Sequence, residues 1–144
     1  PVTRTTWFGG ESTPATRIKD SNSTSISVNN NPSTPIQLVA SGSHRAERDE
    51  RFAGQIGRHD LVRMGSSLKA CVVADGFADL YPRFGPTSCW DIAAAHAVVE
   101  SAGGFVLGPD CRSLDYDLVG DVLNPHFLVS CSTIWNEIWA QNQD

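Results

Sequence analysis

Apolar runs alternate with polar breaks along this chain and divide it into short strands and helices. Thr5-Thr6-Trp7-Phe8 and Ser25-Ile26-Ser27-Val28 read as two strands, with Gly9-Gly10 supplying a turn or bulge. The Asn29-Asn30-Asn31-Pro32 cluster then breaks any strand. From Pro35 the pattern changes. Ile36-Gln37-Leu38-Val39-Ala40 is a compact strand ending in the turn Ser41-Gly42-Ser43-His44. Residues 45–56 predict a charged surface helix, with Phe52 and Ile56 on one face and Gly57 closing it. Residues 60–64 give the next strand, and residues 67–74 a helix stopped by Asp75-Gly76. Residues 78–84 are extended, with Pro82 confining that segment to an edge or a strand end. Residues 88–102 carry the strongest helical pattern, ended by Gly103-Gly104. Residues 105–107 and 127–131 supply the last strands, and residues 133–142 a final helix with Trp135 and Trp139 on one core-facing side.

Strands alternating with helices predict an α/β fold over residues 35–144: an open, mixed or mostly parallel sheet flanked by helices. Residues 1–34 hold too few apolar side chains to bury themselves. They are expected to be a hairpin and linker left from a neighbouring domain.

Composition changes the picture in three ways. With 144 residues, 40% of them hydrophobic, the chain can bury a core of its own. A net charge of −5 excludes a general basic surface for nucleic acid, so any anion site must be a local positive pocket. No apolar run approaches the roughly 20 residues that span a membrane. The opening Pro1-Val2-Thr3-Arg4-Thr5-Thr6 has neither an initiator methionine nor a signal pattern, and is expected to be an internal cut from something longer. The four cysteines (Cys71, Cys89, Cys111, Cys131) form no C-x-x-C pair, which points to reduced, mostly buried thiols and a cytoplasmic location.

Candidate chemistry gathers at strand-to-helix junctions. In open α/β sheets ligands sit beyond the carboxyl ends of strands, where helix starts offer free N–H groups and partial positive charge. Three junctions carry suitable residues: Ser41 to His44, Gly65-Ser66-Ser67-Leu68-Lys69, and Thr87-Ser88-Cys89-Trp90-Asp91. Lys69 adds a full positive charge, and Asp91 a carboxylate able to hold a cation. Each has a plainer reading. Ser88-x-x-Asp91 fits a capping box, Ser66 an N-cap, Lys69 and Arg83 solvated surface cations, and His44 a surface histidine. His96 is expected to be packed and hydrogen-bonded, and Asp110, Asp115 and Asp117 to form turns.

Several stretches together resemble a known family: Gly65-Ser66-Ser67-Leu68-Lys69, Leu80-Tyr81-Pro82-Arg83-Phe84-Gly85-Pro86-Thr87, and Trp90-Asp91-Ile92-Ala93-Ala94 closed by Gly103-Gly104. They are similar to the C-terminal half of the 3'(2'),5'-bisphosphate nucleotidases of the CysQ type, within the inositol monophosphatase-like superfamily of magnesium-dependent phosphatases. Leu114-Asp115-Tyr116 and Leu123-Asn124-Pro125 fall where that family has similar segments. The resemblance implies the following roles. Asp91 binds a catalytic Mg2+. Ser66 and Lys69 hold substrate phosphate and ribose, and His44 and Arg83 contact the nucleotide, with Ser41 and Gly65 beside them. The implied reaction converts 3'-phosphoadenosine 5'-phosphate to AMP and phosphate.

The family's other metal ligands, a glutamate cluster and an Asp-Pro-x-Asp-Gly-Thr motif, have no counterpart: neither Asp-Pro nor Glu-Glu occurs in the chain. The resemblance therefore implies a C-terminal part that lacks its N-terminal domain and is inactive alone. Other readings are an inositol phosphate or sugar bisphosphate phosphatase, a non-catalytic nucleotide-binding lobe, and a fragment that homodimerises through the surface left bare.

Overall fold

The computed structural model describes residues 3–40 and 47–143. Three strands open the chain: β1 (Thr5–Gly10), β2 (Thr13–Lys19) and β3 (Asn22–Ser25). They form an antiparallel sheet in the order β1-β2-β3, with a register shift between Phe8 and Gly10 that realises the expected bulge. The sequence predicted two strands here, placing the second at 25–28. β2 was missed because its Thr, Arg and Lys side chains lie on a half-exposed sheet and carry no apolar signal. Residues 26–28 instead run as a strap. The Ile26 N–H donates to Ala15 O at 3.0 Å and the Val28 N–H to Ala102 O at 3.0 Å, and Val28 is buried.

The second sheet is built from β4 (Ile36–Ala40), β5 (His59–Arg63), β6 (Leu80–Arg83), β8 (Phe105–Leu107) and β10 (Phe127–Ser130). Its order is β5-β4-β6-β10-β8. β4 pairs in parallel with β5 and β6, whereas β10 runs antiparallel to β6 and β8. This is the expected mixed α/β sheet. β6 is a central strand, so of the two placements that Pro82 allowed, an edge or a strand end, the structure takes the second, with Pro82 the last residue but one of β6. Pairing with β4 is confined to Leu38 opposite Leu80, so Pro82 sits past that contact, where its missing N–H breaks no ladder.

Helices α2 (Leu68–Ala74) and α3 (Cys89–Ser101) pack on each other and lie between the two sheets, with β1 and β2 resting on α3. Asp75, at the C-cap of α2, fastens the small sheet: Trp7 Nε1 donates to its Oδ2 at 2.7 Å and Arg17 Nη1 at 3.3 Å. Helix α1 (Glu47–Gln55) meets α4 (Asn136–Ala140) through Phe52 and Trp139, whose rings lie edge to face at 6.0 Å. The last helix opens with a 3-10 turn, Thr133–Trp135, where a single α-helix was expected. The Ser132 side chain accepts from Ile134 N and starts that tighter turn. Trp135 and Trp139 are both buried, as their spacing predicted.

A two-residue ribbon completes the fold. β7 (Thr87–Ser88) pairs antiparallel with β9 (Leu123–Asn124) and ties the long 108–122 loop to the start of α3.

Candidate functional site

The carboxyl ends of β5 and β6 each feed a helix, and the two helix starts face one cleft of about 250 Å³. From the first junction come Ser66, Ser67 and Lys69; from the second, Arg83, Thr87 and Asp91. Tyr81, Ile92 and Phe127 supply the remaining, largely apolar wall. Two of the three expected junctions therefore converge. The third, with Ser41 and His44, lies outside the described residues. Gly65 does not line the cleft, and its φ is not left-handed; the left-handed residue is Ser66, at φ 57°. The side chain of Ser67, at the N-cap of α2, makes no capping hydrogen bond.

Lys69 is buried, at 5% exposure, which corrects the solvated-lysine reading. Its Nζ lies 5.2 Å from the centre of the Tyr81 ring. Burial first, and then the Arg83 charge, pull its pKa below the usual 10.5. The Tyr81 hydroxyl is pushed up to about 12, chiefly by burial, so it stays protonated at neutral pH. Arg83 Nη2 donates to Pro86 O at 3.1 Å, and its buried Nε has no partner among the described residues. Two cations thus share a cleft in an acidic chain, one with an unused buried donor. That arrangement is costly without an anion.

Asp91 is exposed and closes a capping box at the start of α3, its Oδ2 accepting the Ser88 N–H at 2.9 Å. Capping and a place on the cleft wall coexist. No group of three or more His, Cys, Asp or Glu side chains able to hold a metal occurs among the described residues. Magnesium needs several oxygen ligands, so the side chains described here do not by themselves make a site for it.

Lys69 gives the site a testable pH dependence. Between its depressed pKa and 10.5 the unfolded chain binds more protons than the folded one, so stability rises with pH across that window. Anion affinity falls over the same window as the ammonium is lost. We expect Lys69→Met to weaken pyrophosphate binding by about 10- to 100-fold, to stabilise the chain at neutral pH, and to flatten both profiles. Calorimetry and urea unfolding from pH 7 to 10 check all three.

Other predicted positions fall where expected. His96 is buried, with Nδ1 2.7 Å from the Tyr116 hydroxyl and Nε2 3.1 Å from Glu100. Asp110 and Asp117 accept nearby backbone N–H groups in turns. All four cysteines are unpaired and three are buried; burial pushes the Cys71 thiol up to about 11 and Cys131 to about 12. Ser67, Thr87, Ile92 and Phe127 line the cleft although sequence reasoning did not single them out as site residues, and so does Tyr81. The place of Tyr81 under Lys69 follows from strand and helix crossing, which no local pattern encodes.

Fold and cleft together define an α/β protein with a cationic pocket at the carboxyl ends of its strands. Comparison with known proteins places it further. Residues 6–141 match the model of the inositol monophosphatase family, and the chain belongs to that family. It is 46% identical over 96 residues to the 3'(2'),5'-bisphosphate nucleotidase CysQ of Salmonella typhimurium and 47% identical to that of Escherichia coli. Each alignment covers 67% of this chain but 39% of the relative, so the chain matches well under half of those proteins' length. The crystal structure of CysQ from Bacteroides thetaiotaomicron superposes with a TM-score of 0.77 at 32% identity, covering 92% of this chain and 56% of that one. Mycobacterium tuberculosis SuhB, at 22% identity and a TM-score of 0.68, shares the fold.

Proposed function

We propose that this chain is the substrate-binding part of a magnesium-dependent 3'(2'),5'-bisphosphate nucleotidase that converts 3'-phosphoadenosine 5'-phosphate to AMP and phosphate. The observation that carries the reading is the pairing of Lys69 and Arg83 in one cleft at the β5 and β6 ends, beside Asp91. Similarity to the CysQ nucleotidases supports the same substrate class. Lys69 and Arg83 bind and orient phosphate, Ser66 and Ser67 offer further donors, and the Tyr81–Phe127 wall keeps water from the cationic side chains. His44 and Ser41 extend the contact to the nucleotide in this reading, with Gly65 at the turn.

Magnesium enters the proposal only through carboxylates beyond this chain acting with Asp91. The length of the CysQ relatives, of which each alignment covers 39%, supports a longer protein. The unpaired thiols support a reducing, cytoplasmic setting, and no described helix is long and apolar enough to cross a membrane.

The test is magnesium-dependent phosphate release from 3'-phosphoadenosine 5'-phosphate, by this chain alone and by the full-length product of its gene. Turnover is expected in the full-length protein only. Turnover by this chain alone would show that its own residues suffice. Turnover by neither would overturn the nucleotidase reading, and faster release from inositol phosphates would move the substrate class.

A further inference from the structure

The buried Asn124 contacts the cleft wall from behind. It is 8% exposed and comes from β9, the strand paired with β7. Its Nδ2 donates to Thr87 Oγ1 at 3.0 Å and to the Ser88 backbone carbonyl at 2.9 Å. The amide orientation follows from chemistry: a backbone carbonyl only accepts, so the group facing Ser88 O must be the NH2. Both amide protons are then spent, one on each oxygen. Thr87 Oγ1 is consequently an acceptor toward Asn124, and its own proton must go elsewhere. Among the described residues no protein acceptor takes that proton, while Thr87 itself lines the cleft shared with Lys69 and Arg83.

We infer that Thr87 is a dedicated hydroxyl donor to an anionic ligand in this cleft, and that Asn124 is the positioning residue that aims it. The inference rests on the anion-binding reading of the cleft and adds a directed neutral donor to its two cations. By accepting from Asn124, the Thr87 oxygen is polarised and its O–H becomes a better donor. By holding Ser88 O as well, Asn124 locks the residue between Thr87 and the start of α3. A hydroxyl free to rotate could turn its proton away or accept from a neighbouring cation. Accepting from Asn124 takes one of this oxygen's two lone pairs and bars its proton from turning back toward β9, so fewer orientations are left to lose when the ligand arrives.

The experiment uses the 144-residue chain with inorganic pyrophosphate as probe, followed by calorimetry. Thr87→Val keeps the β-branched shape and removes the hydroxyl; Thr87→Ser keeps the hydroxyl. We expect Val to weaken binding by about tenfold or more, as for a hydrogen bond to a charged group, and Ser to stay within about threefold. Asn124→Ala should cost about as much as Thr87→Val in the native background, yet less than about twofold in the Thr87→Val background. A purely structural role would cost the same in both. If Asn124→Ala does not fold, as read by near-ultraviolet circular dichroism, Asn124→Asp takes its place in the same cycle. Its added charge acts equally in both backgrounds, so only capture of the Thr87 proton appears as coupling. Pyrophosphate binding that Thr87→Val leaves unchanged would overturn the donor assignment and leave the cleft reading standing. Equal losses in both backgrounds would overturn the positioning role of Asn124. No binding by the unsubstituted chain would overturn the cleft reading and this inference with it.

Discussion

Asp91→Asn is expected to lower magnesium-dependent phosphate release by the full-length protein on the order of a thousandfold while leaving the fold intact. The reason is that the role seen for Asp91, a helix cap, and the role proposed for it, a metal ligand, demand different things of its side chain. As a cap it needs only an oxygen to accept the Ser88 N–H, now 2.9 Å away. An asparagine carbonyl supplies that acceptor, and loss of the charge at the helix start costs about 0.3–1 kcal/mol. As a ligand for a divalent cation it needs the negative charge, which asparagine lacks. Asp91→Ala removes both functions and should lose a further ~1 kcal/mol of stability. Measuring turnover and urea unfolding on the same three proteins separates the roles. Full turnover by the asparagine variant would reduce Asp91 to a cap and remove it from the proposed site.

The largest stability effect is expected at Asp79, which precedes β6 and does not line the cleft. Its carboxylate is buried at 2% exposure and accepts Asn29 Nδ2 on Oδ1 and the Gln37 N–H on Oδ2, both at 2.8 Å, with Cys131 Sγ facing Oδ1 at 3.8 Å. One side chain thereby joins the strap before β4, β4 itself and the end of β10. Asp79→Ala leaves these donors buried without an acceptor, at about 1–3 kcal/mol for each, and we expect a total loss of about 3–5 kcal/mol. Domains of this kind have roughly 5–15 kcal/mol in all, so the variant should be partly unfolded at ordinary temperatures. Asp79→Asn should cost less, because Asn29 can turn its own amide to accept from the new NH2. Urea titration followed by the fluorescence of buried Trp135 and Trp139 reads the ranking. Equal stability of the alanine variant and the native chain would refute the staple role.

Asp79 also shows where sequence reading stops. In Ala78-Asp79-Leu80 nothing distinguishes it from a surface carboxylate at a strand start. Its partners lie 50, 42 and 52 residues away in the chain, so only folding brings them together. Lys69 is similar: the helix start was legible, but its burial over Tyr81 depends on α2 crossing β6. The cleft was easier to foresee. Strand-to-helix junctions in an α/β sheet open at the carboxyl ends of the strands, so Gly65–Lys69 and Thr87–Asp91 were bound to be near one another once the strands ran parallel.

The sequence by itself determined the order of the main elements from Ile36 onward, though not the two-residue strands β7 and β9, together with the core face of the last helix and the residue types of the two junctions. These depend on hydrophobic period and turn chemistry, which act over a few neighbouring residues. It also carried the family resemblance that residues 6–141 bear out. Tertiary structure alone decided that β6 is central despite Pro82, that polar β2 joins the small sheet, and that Asn124 spends both amide protons on Thr87 and Ser88. Each depends on pairing between segments remote in the chain. A hydrogen bond across such a distance leaves no local pattern, because its energy is realised only when packing has brought donor and acceptor together.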